Sequence, residues 1–196
     1  MAELEFWFDF ASPYAYLAAE TIGPAAAEAG VAVRWKPFLL GPIFQEQGWR
    51  DSPFNLFPAK GRYLWRDLQR ETRRLGVPWQ RPARFPFNSA LATKTATWIE
   101  PEARLPAYCQ ALFRAGFAER RDPAAPTVVS ACLRAAGLDD GPLERALAEE
   151  GGQRLRADVN LARERGIFGA PSFVVNGELY WGNERLTAAL EQAWMD

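Results

Sequence analysis

The 196-residue chain contains no histidine and only two cysteines, Cys109 and Cys132. The first absence excludes imidazole catalysis and the common histidine-containing zinc and iron sites, so we expect no metal. The two cysteines form no Cys-x-x-Cys motif and no disulfide framework, which argues against a thiol oxidoreductase. Each falls on an apolar helical stripe, and we predict that both are buried core residues.

Long apolar runs and a charge imbalance are also missing. No apolar run approaches the ~20 residues of a membrane-spanning helix. Residues 1–5 lack the basic region and cleavage site of a signal peptide, so we expect a cytoplasmic protein without a membrane partner. The formal net charge is −1, from 23 basic and 24 acidic residues, and it does not favour a nucleic-acid partner.

A single hydroxyl stands at a predicted strand-to-helix turn. The apolar run 4–10 predicts a buried strand, and Ser12 follows it as a helix N-cap, with Pro13 at the first helical position. A helix N-terminus favours an anion, so a thiolate, carboxylate or phosphate would be stabilised beside Ser12. On local grounds alone an ordinary structural cap is the favoured interpretation, because Ser and Thr are enriched at helix starts for structural reasons.

Segment 169–181 predicts a loop, a proline and a hairpin. Asn176-Gly177 is typical of a type I′ turn between two strands. A second early strand is predicted where Val31, Val33 and Trp35 alternate with polar or small residues, after Gly30 ends the first helix. Gly23-Pro24 predicts a kink or a split in that helix.

Helical patterns dominate the sequence from about Pro42 onward. One predicted helix ends at Gly76. Further helices are predicted over 90–99, 105–117, 128–136, 143–147 and 155–165, and a terminal helix over 186–194. A β-α-β unit and a ββα unit are therefore separated by about a hundred residues of helices.

Five segments together resemble the DsbA-like family that contains the 2-hydroxychromene-2-carboxylate isomerases and the kappa-class glutathione transferases. They are residues 8–18, 58–61, 85–89, 169–173 and 180–186. The resemblance implies an α/β fold, with a thioredoxin-like domain at 1–41 and 155–196 and an all-helical insertion domain at 42–154. It also implies a homodimer.

The resemblance implies glutathione as the cofactor. Ser12 would stand where a redox cysteine stands in related proteins and would stabilise the glutathione thiolate rather than act as a nucleophile. Ala170 and Pro171 would form a cis-proline site for the glutathione cysteine, and Asn183 and Glu184 would receive its γ-glutamyl amino group. Without the resemblance, a trans proline is the simpler interpretation of Pro171, and a helix-start acid explains Glu184 equally well.

Substrate-facing residues are also implied by the resemblance. Asn55, Lys60 and Asn88 would bind a hydroxy acid, and Trp181 and Phe54 would face a flat aromatic ring. Eight basic residues against two acids between 60 and 84 would attract an anion, although most of these arginines are expected to form a solvated helix face.

The function implied is a glutathione-dependent isomerase that interconverts 2-hydroxychromene-2-carboxylate and trans-o-hydroxybenzylidenepyruvate in aromatic catabolism. A kappa-type glutathione transferase is one alternative. A thioredoxin-fold binding protein without redox chemistry is another.

Overall fold

The computed structural model describes residues 2–148 and 152–195. Four strands and ten helices, with 3-10 turns at Glu102–Arg104 and Asn183–Arg185, follow one another in these ranges. The strands are β1 (Glu3–Phe8), β2 (Ala32–Pro37), β3 (Ser172–Val175) and β4 (Glu178–Trp181). The helices are α1 (Pro13–Ala29), α2 (Leu40–Glu46), α3 (Pro53–Leu56), α4 (Pro58–Leu75), α5 (Ala90–Ala96), α6 (Leu105–Phe117), α7 (Pro126–Ala135), α8 (Gly141–Leu147), α9 (Gln153–Glu164) and α10 (Leu186–Gln192).

The four strands form one mixed sheet in the order β2-β1-β3-β4. β1 runs parallel to β2 and antiparallel to β3, so that Phe6 pairs with Trp35 on one side and with Phe173 on the other. The β3–β4 hairpin turns at Asn176 and Gly177, whose φ angles of 50° and 84° confirm the predicted type I′ turn. The predicted β-α-β and ββα units thus share one sheet, which confirms the α/β thioredoxin-like fold.

Helix α1 begins and ends where its capping residues predict. Ser12 caps the N-terminus through its side chain, and Gly30 ends the helix in the left-handed conformation with φ 65°. The predicted split at Pro24 is wrong, because the helix runs unbroken from Pro13 to Ala29. Pro24 lies on the exposed face, where water can satisfy the carbonyl that loses its helical partner, while Ile22 and Ala26 stay buried.

Helix α5 is shorter than the pattern predicts. It ends at Ala96 rather than at Ile99. Beyond it the chain tightens into a turn, with the Trp98 N–H bonded to the Thr95 carbonyl and the Thr97 hydroxyl bonded to the Lys94 carbonyl. The helical spacing of apolar residues in the sequence therefore extends a few positions beyond the end of the regular helix.

Aromatic residues form the core on both faces of the sheet. On one face Phe6 stacks on Phe8 and Phe173, and Phe8 reaches Phe113 of α6 with ring centroids 5.7 Å apart. On the other face Trp7 and Val174 belong to a separate cluster with Phe38 and α9. Burial of these large side chains stabilises the sandwich of helices around the sheet.

The helices between β2 and β3 pack directly on the sheet. The ring centroids of Phe10 and Phe113 are 5.0 Å apart, and Tyr16 of α1 stacks on Phe117 with ring centroids 5.6 Å apart. The helices at 105–117 and 126–135 therefore share one core cluster with α1 and the strands. A separate insertion domain at 42–154 stays a prediction, and its residues 149–151 lie outside the described part. Across 2–148 and 152–195, every helix is too short or too polar to cross a bilayer.

Cys109 and Cys132 are buried, with 0% and 2% of their surface exposed, and neither is in a disulfide. Burial raises the pKa of both thiols, that of Cys132 to about 11. We therefore predict that iodoacetamide at about pH 8 leaves both cysteines unmodified in the native protein and alkylates both in urea, because the thiolate is the reactive form. Mass spectrometry of the intact chain measures this. A native protein that loses a thiol quickly would contradict the buried placement.

Candidate functional site

A cleft of about 1150 Å³ opens at the end of the sheet where the β1–α1 turn meets the loop before β3. This volume exceeds the range of roughly 300–1,000 Å³ that small-molecule sites usually span. Its walls come from the β1–α1 turn, the segment from Leu39 to Phe54, one face of α4, the loop 85–90, the loop 168–171 and the segment 181–184. The cleft has room for two small ligands side by side.

Ser12 lies in this cleft at the N-terminus of α1. Its Oγ accepts a hydrogen bond from the Ala15 N–H at 3.2 Å, as an N-cap does. The same hydroxyl donates to the carbonyl oxygen of Ala170 at 2.8 Å. Ser12 is 8% exposed, so it reaches the cleft without being fully solvated. The Ser12 hydroxyl thus lies at the cleft wall, at the positive end of a 17-residue helix, with its proton directed at the Ala170 carbonyl.

Ala170 and Pro171 lie opposite Ser12. The Ala170–Pro171 peptide bond is cis, as the resemblance implies. The Pro171 carbonyl accepts the Gly182 N–H at 3.0 Å, which ties the start of β3 to the segment after β4. Both residues line the cleft, so the backbone before Pro171 is presented to a ligand there.

Asp9 lies beneath the Ser12 turn with 5% of its surface exposed, and it also lines the cleft. Its carboxylate accepts hydrogen bonds from the Ala11 N–H, the Leu40 N–H and the Ser89 hydroxyl. Burial raises the pKa of the Asp9 carboxyl above its ordinary value, and the three donors oppose that rise.

Asn183 and Glu184 line the cleft from a 3-10 turn between β4 and α10. The Glu184 carboxylate folds back over Gly182, so that a Cβ on this glycine would lie 2.6 Å from each carboxylate oxygen. Gly182 also has a φ of 109°, which side-chain-bearing residues rarely adopt. The absence of a Cβ at Gly182 therefore leaves the space that the Glu184 carboxylate occupies.

Trp181 and Phe168 form an exposed aromatic pair on the cleft rim. Their ring centroids are 4.9 Å apart, and the two residues are 54% and 44% exposed. The Trp181 indole lies directly against Gly169, where a Cβ would overlap it. Exposed aromatic surface at a concave site is typical of a place where a ligand completes the packing.

Lys60 and Phe54 line another wall, where α3 meets α4. Gly61 is buried in this contact, and a Cβ there would overlap the Phe54 carbonyl oxygen. The Lys60 ammonium lies 4.9 Å from the centre of the Phe57 ring. In the described ranges Lys60 makes no ion pair, so its charge is available to an anionic ligand.

A phenol and a carboxylate meet beside Ser12. The Tyr14 hydroxyl donates to Asp67 at 2.9 Å, and both residues line the cleft. Burial, followed by the hydrogen bond to Asp67, raises the pKa of Tyr14. Tyr14 therefore stays protonated and acts as a donor, not as a base.

The two predicted amides differ in placement. Asn88 lines the cleft, and its Oδ1 accepts the Ala90 N–H at 3.0 Å, which directs the side chain at the start of α5. Asn55 does not line the cleft, because its amide nitrogen donates to Asp51 and to the Phe85 carbonyl at 3.2 Å. Asn55 thus braces two loops, and the prediction of a substrate contact has no support from its position.

The sequence argument missed Asp9, Asp67 and Phe168. Asp9 gave one readable signal, because it is an acid inside an otherwise apolar run of aromatic residues. Asp67 and Phe168 gave no such signal, because an acid among arginines and an apolar loop residue are both common at positions without a functional role.

A thioredoxin-like sheet with helices between its two halves, and a hydroxyl opposite a cis-proline, define the class. The DSBA-like thioredoxin domain model matches residues 3–193, and the chain belongs to this family.

Its relatives include enzymes of two activities. It is 29% identical over 185 residues to the 2-hydroxychromene-2-carboxylate isomerase of Pseudomonas putida, which covers 93% of this chain and 90% of that protein. A solved structure of a 2-hydroxychromene-2-carboxylate isomerase aligns with a TM-score of 0.85 at 30% identity, over 97% of this chain and 93% of that one. The human glutathione S-transferase kappa 1 is 25% identical over 210 residues, which covers 98% of this chain and 92% of the transferase.

Proposed function

We propose that the protein is a glutathione-dependent isomerase that interconverts 2-hydroxychromene-2-carboxylate and trans-o-hydroxybenzylidenepyruvate. The observation that carries the proposal is the Ser12 hydroxyl at the N-terminus of α1, hydrogen-bonded to the Ala170 carbonyl at the wall of a cleft large enough for a thiol and an aromatic acid. The similarity to isomerases over more than nine-tenths of the chain supports the reaction.

The residues of the cleft fit glutathione. The helix N-terminus and the Ser12 hydroxyl suit a thiolate, because backbone N–H groups and the helix dipole stabilise negative charge there. Asn183 and the Glu184 carboxylate suit the ammonium group of the γ-glutamyl end. The names of the kappa-class relatives support glutathione as the thiol.

Ser12 acts as a donor to the thiol sulfur. Its proton is given to the Ala170 carbonyl in this structure, and rotation about one side-chain bond redirects it to a sulfur in the cleft. A charged acceptor forms a stronger hydrogen bond than a neutral carbonyl, so a thiolate favours that rotation. The pKa of the bound thiol therefore falls below its ordinary value of about 8.5.

The aromatic acid occupies the rest of the cleft. Lys60 binds the carboxylate, and Asn88 donates to a polar oxygen of the substrate. Trp181 and Phe54 bury the flat ring. Holding the substrate beside the sulfur converts a bimolecular encounter into a reaction within one complex. When bound, glutathione would supply a thiolate able to add reversibly to the conjugated system, so that the double bond becomes single and can rotate. The ring C–O bond of the chromene would open as its hydroxyl proton passes to the phenolic oxygen, and the thiolate would leave unchanged as the double bond is restored.

The proposal is tested by glutathione titration and by a thiol balance. We expect calorimetry to show one glutathione site per chain, and ultraviolet absorbance to show a thiolate at neutral pH. With the chromene substrate and catalytic glutathione, the ultraviolet spectrum is expected to approach the isomer equilibrium while the free thiol content stays constant. A protein that binds no glutathione would instead be a binding protein of the same fold.

A kappa-type transferase is the second candidate, because one relative with this name matches 98% of the chain. The same thiolate would then attack an electrophile and stay attached. Stoichiometric loss of free thiol with product formation would favour the transferase over the isomerase.

A further inference from the structure

Asp9 is a buried acid that the proposed reaction does not use. It lies in the cleft three residues before Ser12, yet its oxygens face protein donors. A carboxylate without partners would be costly at 5% exposure, so these donors account for its burial.

The three donors come from three separate segments. The Ala11 N–H donates to Oδ1 at 2.9 Å, the Leu40 N–H donates to Oδ2 at 2.9 Å, and the Ser89 hydroxyl donates to Oδ1 at 2.7 Å. An ionised carboxylate offers only acceptors, and it therefore matches all three donors at once.

Each donor belongs to a different wall of the cleft. Ala11 is part of the turn that carries Ser12, whose own N–H donates to the Asp9 carbonyl at 2.9 Å. Leu40 begins α2, and Ser89 directly precedes α5 beside Asn88. The Asp9 side chain therefore connects the turn that carries Ser12 to the start of α2 and to the residue before α5 by hydrogen bonds.

We infer that Asp9 is a positioning residue, whose carboxylate holds the Ser12 turn against α2 and α5 and so fixes the direction of the Ser12 hydroxyl toward a bound thiol. The inference rests on the proposed function of Ser12. A buried negative charge acting alone opposes a nearby thiolate, so removing it would lower the thiol pKa. Loss of positioning of the Ser12 hydroxyl would instead raise the thiol pKa. The charge effect and the positioning effect of Asp9 therefore shift the thiol pKa in opposite directions.

The test introduces Asp9→Asn into the full chain in two backgrounds. In one background Ser12 is unaltered, and in the other it is replaced by alanine. The amide keeps the shape but places an NH₂ group where an acceptor is needed. We expect the pKa of the bound glutathione thiol to rise toward about 8.5, and kcat to fall by about 10- to 100-fold, as for a misplaced catalytic group. In the Ser12→Ala background the same change is expected to move the thiol pKa little, because effects that act through one group are not additive.

A second pair of variants supplies the matched control. Ser89→Ala removes one donor to Asp9. Ser130→Ala removes a serine-to-aspartate bond of similar length, 2.6 Å to Asp140, between α7 and α8. Neither Ser130 nor Asp140 lines the cleft. We expect Ser89→Ala to raise the thiol pKa in the same direction as Asp9→Asn, and Ser130→Ala to leave both the thiol pKa and kcat unchanged.

Amide hydrogen exchange without glutathione gives a readout that does not depend on the reaction. Asp9→Asn is expected to speed exchange at Ala11 and Leu40, and Ser130→Ala is not. If Asp9→Asn does not fold, Ser89→Ala decides the inference by the pKa of the bound thiol.

Three results overturn the inference: an unchanged or lowered thiol pKa in Asp9→Asn, an equal rise in the Ser12→Ala background, or a Ser89→Ala protein that behaves like Ser130→Ala. Failure of the proposed function is separate, because the unaltered protein would then bind no glutathione while the exchange measurement still tests the role of Asp9.

Discussion

Replacing Ser12 with alanine is expected to lower isomerase turnover by about 10- to 100-fold. A hydrogen bond to a charged group contributes about 1.5–3 kcal/mol, and each 1.4 kcal/mol is a factor of ten. The pKa of the bound glutathione thiol is expected to rise toward about 8.5, so the loss of activity is larger at pH 6.5 than at pH 9. The thiolate absorbance and kcat, both followed against pH, measure the two effects.

Ser12→Thr is the matched control, because threonine keeps both the hydroxyl and the helix cap. Alanine also removes the cap, which costs about 0.5–2 kcal/mol of stability, so both variants are compared well below their unfolding temperatures. An alanine variant with the turnover and thiol pKa of the unaltered protein would show that Ser12 is an ordinary cap.

Gly182→Ala is expected to weaken glutathione binding by about tenfold or more. With φ 109° and ψ 147°, Gly182 lies near a region that is essentially restricted to glycine, where another residue costs about 1–3 kcal/mol. The added Cβ would also displace the Glu184 carboxylate. Loss of one charge-assisted contact to the glutathione ammonium accounts for the tenfold change. Calorimetric Kd values at fixed salt concentration measure it.

Gly177→Ala provides the comparison within the same hairpin. Gly177 has a φ of 84°, and a Cβ there meets nothing within 4 Å. We expect this variant to lose about 1–2 kcal/mol of stability and to keep its glutathione Kd. Equal Kd values in the two alanine variants would show that Glu184 does not contact the ligand.

Local signals predicted the parts of the fold that depend on neighbouring residues. The apolar run before Ser12, the cap followed by Pro13, and the Asn176-Gly177 turn each specify a backbone conformation within a few positions. Pro24 misled the same reasoning, because the exposure of that helix face depends on tertiary packing.

The site was predictable in part. The resemblance pointed to Ser12, Lys60 and Glu184, and all three line one cleft. Two of the three contacts of the Asp9 carboxylate were not predictable, because the Leu40 and Ser89 donors lie 31 and 80 positions away in the chain. At Asn55 a distant contact replaces a predicted one. The Phe85 carbonyl, 30 positions away, accepts a hydrogen bond from the amide that was expected to contact the substrate.

The Ser12 hydroxyl and the Ala170 carbonyl are 158 positions apart. During synthesis on a ribosome, the alcohol therefore emerges long before the oxygen that orients it. A chain halted anywhere between them carries the helix tip without the Ala170–Pro171 loop, so premature termination yields a product that lacks one side of the proposed thiol site.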